Sequence, residues 1–375
     1  MRKKELRRRA LLLAMVILAF SLAACKKNTG NENTPTEKPT PAVGQDETGQ
    51  ETNGKDNDGD KRYALSDYFP MLADVEYIYA GEGNEYAAYS RFTDYLSEDG
   101  SRIQTRSNNG GTETVRVIEN RDGKITVIKT VNECYYRDNF LNAAEDGGQA
   151  EILLMEPLVE GTQWSLADGR KRYISGLDIE VETPSGKYSA IEVTTENDGS
   201  ISKDYYAAGV GLVKTLFVSD GYEVKSELSE IKKDAVYTKS IDIFYPGIDE
   251  KIYVKPVTIS FKTGDITRLL LQKELTKEAQ VADCIPLTSS KTQINSMYLG
   301  ADGIAYIDFS YELITEMNAG SGFEALILQC IANTVGNYYG TDKVYITVDG
   351  KPYESGHISM SEGETIEVDM SRVQE

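Results

Sequence analysis

The chain has 375 residues, of which 60 are acidic and 40 basic, giving a net charge of −20. This acidity argues against nucleic acid as a partner, because affinity for phosphates rests on Lys and Arg contacts. It also argues against peripheral adsorption on anionic lipid, so any membrane attachment has to be covalent. The length fits two domains of ordinary size.

Residues 1–24 have the pattern of a bacterial lipoprotein signal peptide. Basic residues come first, and the apolar run that follows, Ala10 to Leu22, is shorter than the span of about 20 residues that a permanent membrane helix needs. The sequence Leu22-Ala23-Ala24-Cys25 is similar to a lipobox, in which the thiol accepts diacylglycerol. We therefore predict lipidation at Cys25 and a location on the extracytoplasmic face of the cell membrane. An ordinary signal peptide with an incidental cysteine is the alternative.

Residues 25–62 have the composition of a linker. They contain no aromatic side chain and are rich in Asn, Thr, Glu, Asp, Gly and Pro. Such a segment cannot bury enough apolar surface to offset chain entropy, so we predict disorder.

Residues 63–235 have the pattern of an antiparallel all-β domain. Short alternating runs are separated by turn sequences such as Asp122-Gly123, Asp198-Gly199 and Asp220-Gly221. This spacing predicts a half-barrel or a sandwich. One helix is expected near Asn139–Glu145. The predicted strands are Val75–Tyr79, Tyr86–Phe92, Thr114–Ile118, Lys124–Val131, Asp178–Glu182, Tyr188–Thr194 and Leu212–Val218.

Residues 240–370 are predicted to form a small α+β domain, with two helices on one face of a single sheet. The other face of that sheet would be open to solvent or to a partner. Before the second helix, the expected elements are strands at Ile241–Tyr245 and Lys251–Ile259, a helix from Asp265 to about Glu278 with Ile266, Leu269, Leu270 and Leu275 inward, and strands at Gln293–Leu299 and Ile304–Phe309.

The stretch Gly320–Lys351 carries the clearest pattern of this region. Ser321 is predicted to cap a helix, and Glu324 three residues later completes a capping box. Beyond Gly340 the period changes to two, and Asp349-Gly350 predicts a hairpin turn. The buried face of this strand would be Val344, Ile346 and Val348.

These residues resemble the sporulation and spore germination (GerMN) domain family, over roughly Ile241 to Met360. The resemblance is carried by Ile304–Ser310, Leu326, Ala332-Asn333-Thr334, Lys343-Val344, Ile346 and Val348-Asp349-Gly350-Lys351. It implies an α+β fold and an extracytoplasmic location. It implies no catalytic residue, because the matching positions are core apolar residues and turn formers.

The remaining reactive side chains form no catalytic or metal-binding motif. Besides Cys25, the chain has Cys134, Cys284 and Cys330. A disulfide between Cys284 and Cys330 is one of the alternatives that the sequence allows. Any Ser–His or Cys–His hydrolase would have to use His357, the single histidine. No metal-ligand spacing, Walker A sequence or nucleophile elbow is present, so we expect no catalytic, cofactor or metal residue.

The sequence therefore predicts a non-catalytic scaffold in envelope or spore assembly and germination, which binds proteins or itself. A peptidoglycan- or glycan-binding lipoprotein is the alternative, since exposed tyrosines stack on sugars. A cell-wall hydrolase is the third hypothesis, because carboxylates are abundant. The glycan-binding hypothesis rests on the adjacent tyrosines Tyr135-Tyr136, Tyr205-Tyr206 and Tyr338-Tyr339.

Overall fold

The structure is a computed structural model that describes residues 63–144, 150–279 and 281–374. The predicted signal peptide, Cys25 and the linker lie outside these ranges. The described chain consists of an antiparallel sheet over residues 75–233 and a mixed α/β part from residue 237 onward. Within the described ranges, no helix is both long enough and apolar enough to cross a bilayer.

The N-terminal sheet has twelve strands, preceded by the short helix α1 (Leu65–Tyr68). All strands pair antiparallel, and β1 pairs with β12, so two meanders join at the centre of the sheet. The strands are β1 Val75–Glu82, β2 Tyr89–Leu96, β3 Arg102–Asn108, β4 Glu113–Arg121, β5 Lys124–Val131, β6 Glu151–Met155, β7 Gln163–Ser165, β8 Lys171–Thr183, β9 Gly186–Asn197, β10 Ser200–Ala207, β11 Gly211–Ser219 and β12 Tyr222–Lys233.

The two ends of this sheet meet through side chains, so the sheet is curled. The Trp164 indole of β7 and the Arg172 guanidinium of β8 both donate to the Ile152 carbonyl of β6, at 3.0 and 2.8 Å. Ile103 of β3 and Ile191 of β9 belong to one apolar core on the concave face. The predicted antiparallel β architecture is confirmed.

Strand β3 shows why the sequence pattern misses part of this sheet. Gln104, Thr105 and Arg106 are consecutive and all buried, so the strand has no apolar alternation. The helix expected near Asn139–Glu145 is wrong for the described residues 139–144. There the Phe140 N–H donates to the Gln104 side-chain oxygen at 2.7 Å, and this pairing replaces a helical hydrogen bond.

The C-terminal part follows the predicted order of elements. Its elements are β13 Tyr237–Pro246, β14 Ile252–Phe261, α2 Thr267–Leu275, β15 Ile294–Leu299, β16 Ala305–Phe309, α3 Glu312–Thr315, α4 Ser321–Tyr339, β17 Lys343–Val348, β18 Lys351–Pro352, β19 Ile366–Glu367 and β20 Val373–Gln374.

Helix α4 lies between two sheets, which corrects the prediction of a single sheet with both helices on one face. One sheet has the strand order β13-β14-β20, whereas β15, β16 and β17 belong to a second sheet, and α4 packs against both. Thirteen of its nineteen residues are buried. Because the helix has almost no polar side, it has to be covered all round. Gly340 ends it in the left-handed conformation, at φ 68°.

Helix α2 also differs from its prediction. It begins at Thr267, whose hydroxyl donates to the Arg137 carbonyl at 2.7 Å, and this contact sets the buried side. Leu271 and Leu275 are buried with Thr267, whereas Ile266 and Leu269, predicted to face inward, are 47% and 40% exposed.

The strand predicted after α4 is confirmed. Val344, Ile346 and Val348 of β17 are buried, and the intervening side chains are not. Asp349 and Gly350 both have positive φ, 48° and 73°, as a type I′ hairpin turn requires.

A buried ion-pair network joins the two parts. Arg137, in the connection between β5 and β6, and Asp94 of β2 are both 0% exposed, with Nε 3.3 Å from the carboxylate. The Arg137 guanidinium also donates to the Tyr95 hydroxyl at 2.8 Å. Further bonds reach the carbonyls of Asp265 and of Lys262, the latter at 3.0 Å. One side chain therefore ties β2 to the loop before α2.

Arg106 of β3 extends this network. Its guanidinium lies 3.2 Å from Asp94 and 2.8 Å from Glu113. It also donates to the carbonyl of Tyr136 at 2.7 Å. From α4, the Tyr338 hydroxyl accepts a hydrogen bond from the backbone N–H of Arg137 at 2.8 Å. Buried charges are tolerated when paired and hydrogen-bonded in this way, and removing one partner leaves the others uncompensated.

We predict that Arg137→Ala destabilises the mature chain by about 3–5 kcal/mol, because it removes one of the two arginines paired with the buried Asp94, together with that arginine's hydrogen bonds to the loop before α2. Urea unfolding followed by the fluorescence of Trp164, the single tryptophan, and by circular dichroism measures this loss. The control is Arg121→Ala, whose side chain is 58% exposed and whose loss costs about 0.5 kcal/mol or less. A loss below about 1 kcal/mol for Arg137→Ala would contradict the role given to this network.

Asp138, next in the chain, is a pH-sensitive part of the same connection. Burial raises its pKa to about 6, although the Tyr339 hydroxyl donates to it at 3.2 Å. A carboxyl with a raised folded-state pKa stabilises the fold when protonated, and that contribution is lost as the pH rises through 6.

We predict that Asp138→Asn, which keeps the hydrogen-bond acceptor without the charge, is more stable than the parent at pH 7.5 by about 3 kcal/mol. Near pH 4 the two proteins converge, because the parent is then protonated. Thermal unfolding across this pH range tests the difference, with Asp198→Asn in the exposed β9–β10 turn as a control for net charge. A pH-independent difference would show that this carboxyl does not titrate as described.

Candidate functional site

The predicted lipidation residue, Cys25, lies outside the described residues. The other three cysteines are free thiols, so the Cys284–Cys330 disulfide is not formed. Burial raises the pKa of Cys134 to about 11 and also raises that of Cys330. Protonated thiols at such positions are poor nucleophiles. In the described ranges, no group of three or more His, Cys, Asp or Glu side chains could hold a metal ion.

Glu324 does not cap α4, which corrects the capping-box prediction. The helix begins at Ser321 with Gly320 as its N-cap, and no side chain caps it. Glu324 is buried instead, and its carboxylate accepts hydrogen bonds from Tyr353, at 2.8 Å, and from the Ser355 hydroxyl. The carboxylate thus anchors the chain after β18.

His357 lies beside this carboxylate but is not arranged as a catalytic base. Its backbone N–H donates to the Ser355 hydroxyl oxygen at 3.0 Å, while the side chain is exposed. In the described chain, the hydroxyl proton of Ser355 goes to Glu324 and not to the imidazole. A nucleophilic serine needs the opposite arrangement, with the base accepting that proton.

The adjacent tyrosine pairs do not form a sugar-binding surface. Tyr205, Tyr206, Tyr338 and Tyr339 are all at most 8% exposed. Only Tyr135 of the third pair is substantially exposed, at 47%. Both rings are therefore buried in two of the three pairs, which leaves the glycan-binding hypothesis without the exposed rings that it requires there.

Three tyrosines from different strands do form a surface, here called the tyrosine face. Tyr298 of β15, Tyr306 of β16 and Tyr345 of β17 lie opposite one another in register, on the side of the sheet away from α4. The rings of Tyr298 and Tyr306 stack with centroids 5.0 Å apart and planes at 6°. The Tyr345 ring meets Tyr306 edge-on at 5.7 Å. Tyr298 is 48% exposed.

Charged and polar side chains flank the tyrosine face along the strands. Lys343 lies two residues before Tyr345 and is exposed. Asp308 lies two residues after Tyr306 and accepts hydrogen bonds from Thr347, at 2.6 Å, and from Asn295, at 2.9 Å. The alternation predicted for this strand, with Val344, Ile346 and Val348 on the buried face, places Lys343, Tyr345 and Thr347 on the opposite face. It gave no indication of the register that aligns three tyrosines, since register depends on long-range pairing.

The concave side of the N-terminal sheet holds a second candidate site, here called the cleft. It has a volume of about 380 Å³ and lies between β2–β4 and β6 on one side and β10–β11 on the other. Arg91, Arg116, Glu151 and Asp204 are its charged lining residues. Tyr86 also lines the cleft, and 55% of its surface is exposed.

The carboxylates of the cleft already have partners within the chain. Glu151 lies 2.8 Å from the Arg172 guanidinium. Asp204 accepts a hydrogen bond from Thr215 at 3.0 Å, and burial raises its pKa. Arg91 is held by aromatic rings, with its guanidinium carbon 4.6 Å from the Tyr77 ring centroid. No motif in the sequence pointed to either arginine of this cleft.

Residues 242–354 match the family model Germane, described as sporulation and spore germination. This match agrees with the resemblance seen in the sequence, so the C-terminal part is a GerMN-like domain. It covers less than half of the chain and does not reach the N-terminal sheet. No protein with a curated description matches the chain.

Some solved structures are similar over part of the chain. The tandem GerMN domains of the sporulation protein GerM from Bacillus subtilis match at 16% identity over 34% of this chain and 46% of that chain, with a TM-score of 0.28. The chain thus spans less than half the length of that structure. The first GerMN domain of the same protein matches at 19% identity over 33% of this chain and 95% of that chain, with a TM-score of 0.26.

A candidate lipoprotein from Clostridium perfringens matches at 20% identity over 35% of this chain and 87% of that chain, with a TM-score of 0.23. These TM-scores are too low to carry an argument about function.

Proposed function

We propose that this protein is a lipid-anchored, extracytoplasmic interaction module that acts without catalysis in the cell envelope, in spore assembly or in germination. The observation that carries the proposal is the tyrosine face of the GerMN-like domain. On this proposal, its occupant is a second copy of the chain. The family match of residues 242–354 supports the connection with sporulation and germination.

Membrane attachment is supported by the sequence before the described residues. The basic start, the short apolar run and the small residues before Cys25 are those of a lipidated precursor. Two acyl chains on one cysteine give stable anchoring, whereas a single chain binds only marginally. The acidic remainder of the chain would not hold an anionic bilayer by itself.

The geometry of the tyrosine face favours a flat protein surface over a sugar. Since the rings of Tyr298 and Tyr306 stack on each other, the ring faces that meet are covered, and the Tyr306 hydroxyl donates to Asp302 at 2.7 Å. A sugar would need an open ring face. A flat surface of ring edges can instead pack against an identical surface across a two-fold axis.

Charge placement also fits a two-fold pair. Lys343 lies on one side of the tyrosine face and Asp308 on the other, along the strand direction. A two-fold axis along the row of rings reverses the strand direction of the second copy. Lys343 of each copy would then lie over Thr347 of the other, one strand away from Asp308, which brings opposite charges near each other.

Of the alternatives, a cell-wall hydrolase has no support from the geometry around His357, because the Ser355 hydroxyl donates its proton to Glu324 and not to the imidazole. Glycan binding has specific support, but from the cleft and not from the tyrosine pairs that suggested it.

We predict that the mature chain, residues 25–375 with Cys25→Ala, self-associates reversibly in sedimentation velocity, and that Tyr298→Ser weakens this about tenfold or more. Lys343→Glu should weaken it too, because it places like charges together. The matched control is Tyr222→Ser, which removes a tyrosine of similar exposure, 50%, from β12 of the N-terminal sheet. A monomer at all concentrations, or equal effects of Tyr298→Ser and Tyr222→Ser, would remove the tyrosine face as the interaction site.

We predict that cells expressing the full chain incorporate labelled fatty acid into it, and that Cys25→Ala abolishes the label and releases the protein from the membrane fraction. Cys284→Ala is the matched control, since it removes a different, half-buried thiol and should keep the label. Label that persists in Cys25→Ala would show that the anchor lies elsewhere.

A further inference from the structure

The arginines that line the cleft differ from the other arginines of the N-terminal sheet, because they have no ion-pair partner in the part of the chain that the structure describes. Residues 63–235 contain eight arginines, and six of them have a carboxylate within 3.3 Å. The other two, Arg91 and Arg116, have no carboxylate of the described residues within ion-pair distance. Both line the cleft. In a chain of net charge −20, unpaired guanidinium groups concentrated in one concavity need an explanation.

The strand register places both arginines on the concave face. Arg91 of β2 lies opposite Ser107 of β3, which lies opposite Thr114 of β4. Arg116 is two residues beyond Thr114, and Thr105 is its partner on β3. Because side chains two residues apart share a face, the two guanidinium groups flank a row of hydroxyls.

Arg91 is held in place without its charge being neutralised. Its guanidinium carbon lies 4.6 Å from the ring centroid of Tyr77 and 6.0 Å from those of Phe69 and Tyr79. Such ring contacts orient a guanidinium and leave its N–H donors available at the edge of the plane. The lining carboxylates are directed elsewhere, Glu151 to Arg172 and Asp204 to Thr215.

We propose that the cleft binds a sugar that carries a carboxylate, with Arg91 and Arg116 as the groups that bind the carboxylate. The planar fork of a guanidinium matches a carboxylate in a bidentate way, which a lysine could not reproduce. The proposal goes beyond the interaction role of the tyrosine face and does not rest on it, since the cleft lies on the N-terminal sheet and the tyrosine face on the sheet of β15, β16 and β17.

The rest of the lining fits a sugar ring. Hydroxyl and amide side chains, among them Thr105, Ser107 and Asn132, can exchange hydrogen bonds with sugar hydroxyls. Tyr86 offers a ring that is 55% exposed, in contrast to the stacked tyrosine face. It rests over Gly111, where a Cβ would lie 2.7 Å from the ring. The cleft volume of about 380 Å³ lies within the range of small-molecule sites.

The test is calorimetric titration of the mature chain carrying Cys25→Ala with four probes: glucuronic acid, glucuronamide, acetate and inorganic phosphate. We expect glucuronic acid to bind about tenfold or more tightly than glucuronamide, which has the same ring without the charge. Acetate should bind more weakly than glucuronic acid, because it lacks the ring. Phosphate that binds as tightly as glucuronic acid would replace the sugar by a simple anion and overturn the proposal.

Arg116→Gln should reduce the affinity for glucuronic acid about tenfold and leave that for glucuronamide nearly unchanged. The matched control is Arg121→Gln, which removes the same charge from the same strand outside the cleft and should change neither affinity. Arg91→Gln should act as Arg116→Gln does, once circular dichroism shows that it folds. Equal effects of the Arg116 and Arg121 variants, or no glucuronic acid binding at millimolar concentration, would overturn the proposal. Either result leaves the tyrosine face untouched, because self-association is measured separately.

Discussion

The fold depends on the burial of one carboxylate, Asp94, between two arginines. Taking three charged groups out of water is costly, and the cost is offset only because nearly every donor and acceptor of the network is used. Arg137 contributes most, because it reaches Asp94 on one side and the carbonyls before α2 on the other. Directional bonds therefore hold the N-terminal sheet to the C-terminal part, and aromatic contacts such as that between Tyr136 and Tyr339 lie beside them.

Strands β2, β3 and β4 carry this network on one face and the cleft on the other. In β3, Gln104 and Arg106 face the C-terminal part while Thr105 and Ser107 face the cleft. Both faces of the strand are thus polar, and the usual alternation of apolar and polar residues is missing. This is the physical reason why a pattern that depends on hydrophobic periodicity could not find the strand.

Where structure follows from neighbouring residues, the sequence predicts it well. The β5 strand, Lys124–Val131, has the predicted ends, and the turn at Asp349-Gly350 has the predicted backbone. Glu324 is the opposite case, since its spacing from Ser321 suits a capping box but Tyr353 and Ser355 compete for the carboxylate. No local pattern can report a partner that is about thirty residues away. The tyrosine face and the paired or unpaired state of each arginine are long-range properties of the same kind.

The two candidate surfaces differ in how their aromatic rings are used, and this difference is the reason for proposing different partners for them. On the tyrosine face, the rings satisfy one another and present edges, so the surface is already organised before a partner arrives. In the cleft, the Tyr86 ring is 55% exposed and the two arginines have no carboxylate of the described residues within ion-pair distance, which is the basis for proposing a charged ligand there. The family match reaches only the first surface. Whatever the cleft binds therefore belongs to the N-terminal sheet, and the buried network around Asp94 fixes its position relative to the GerMN-like domain.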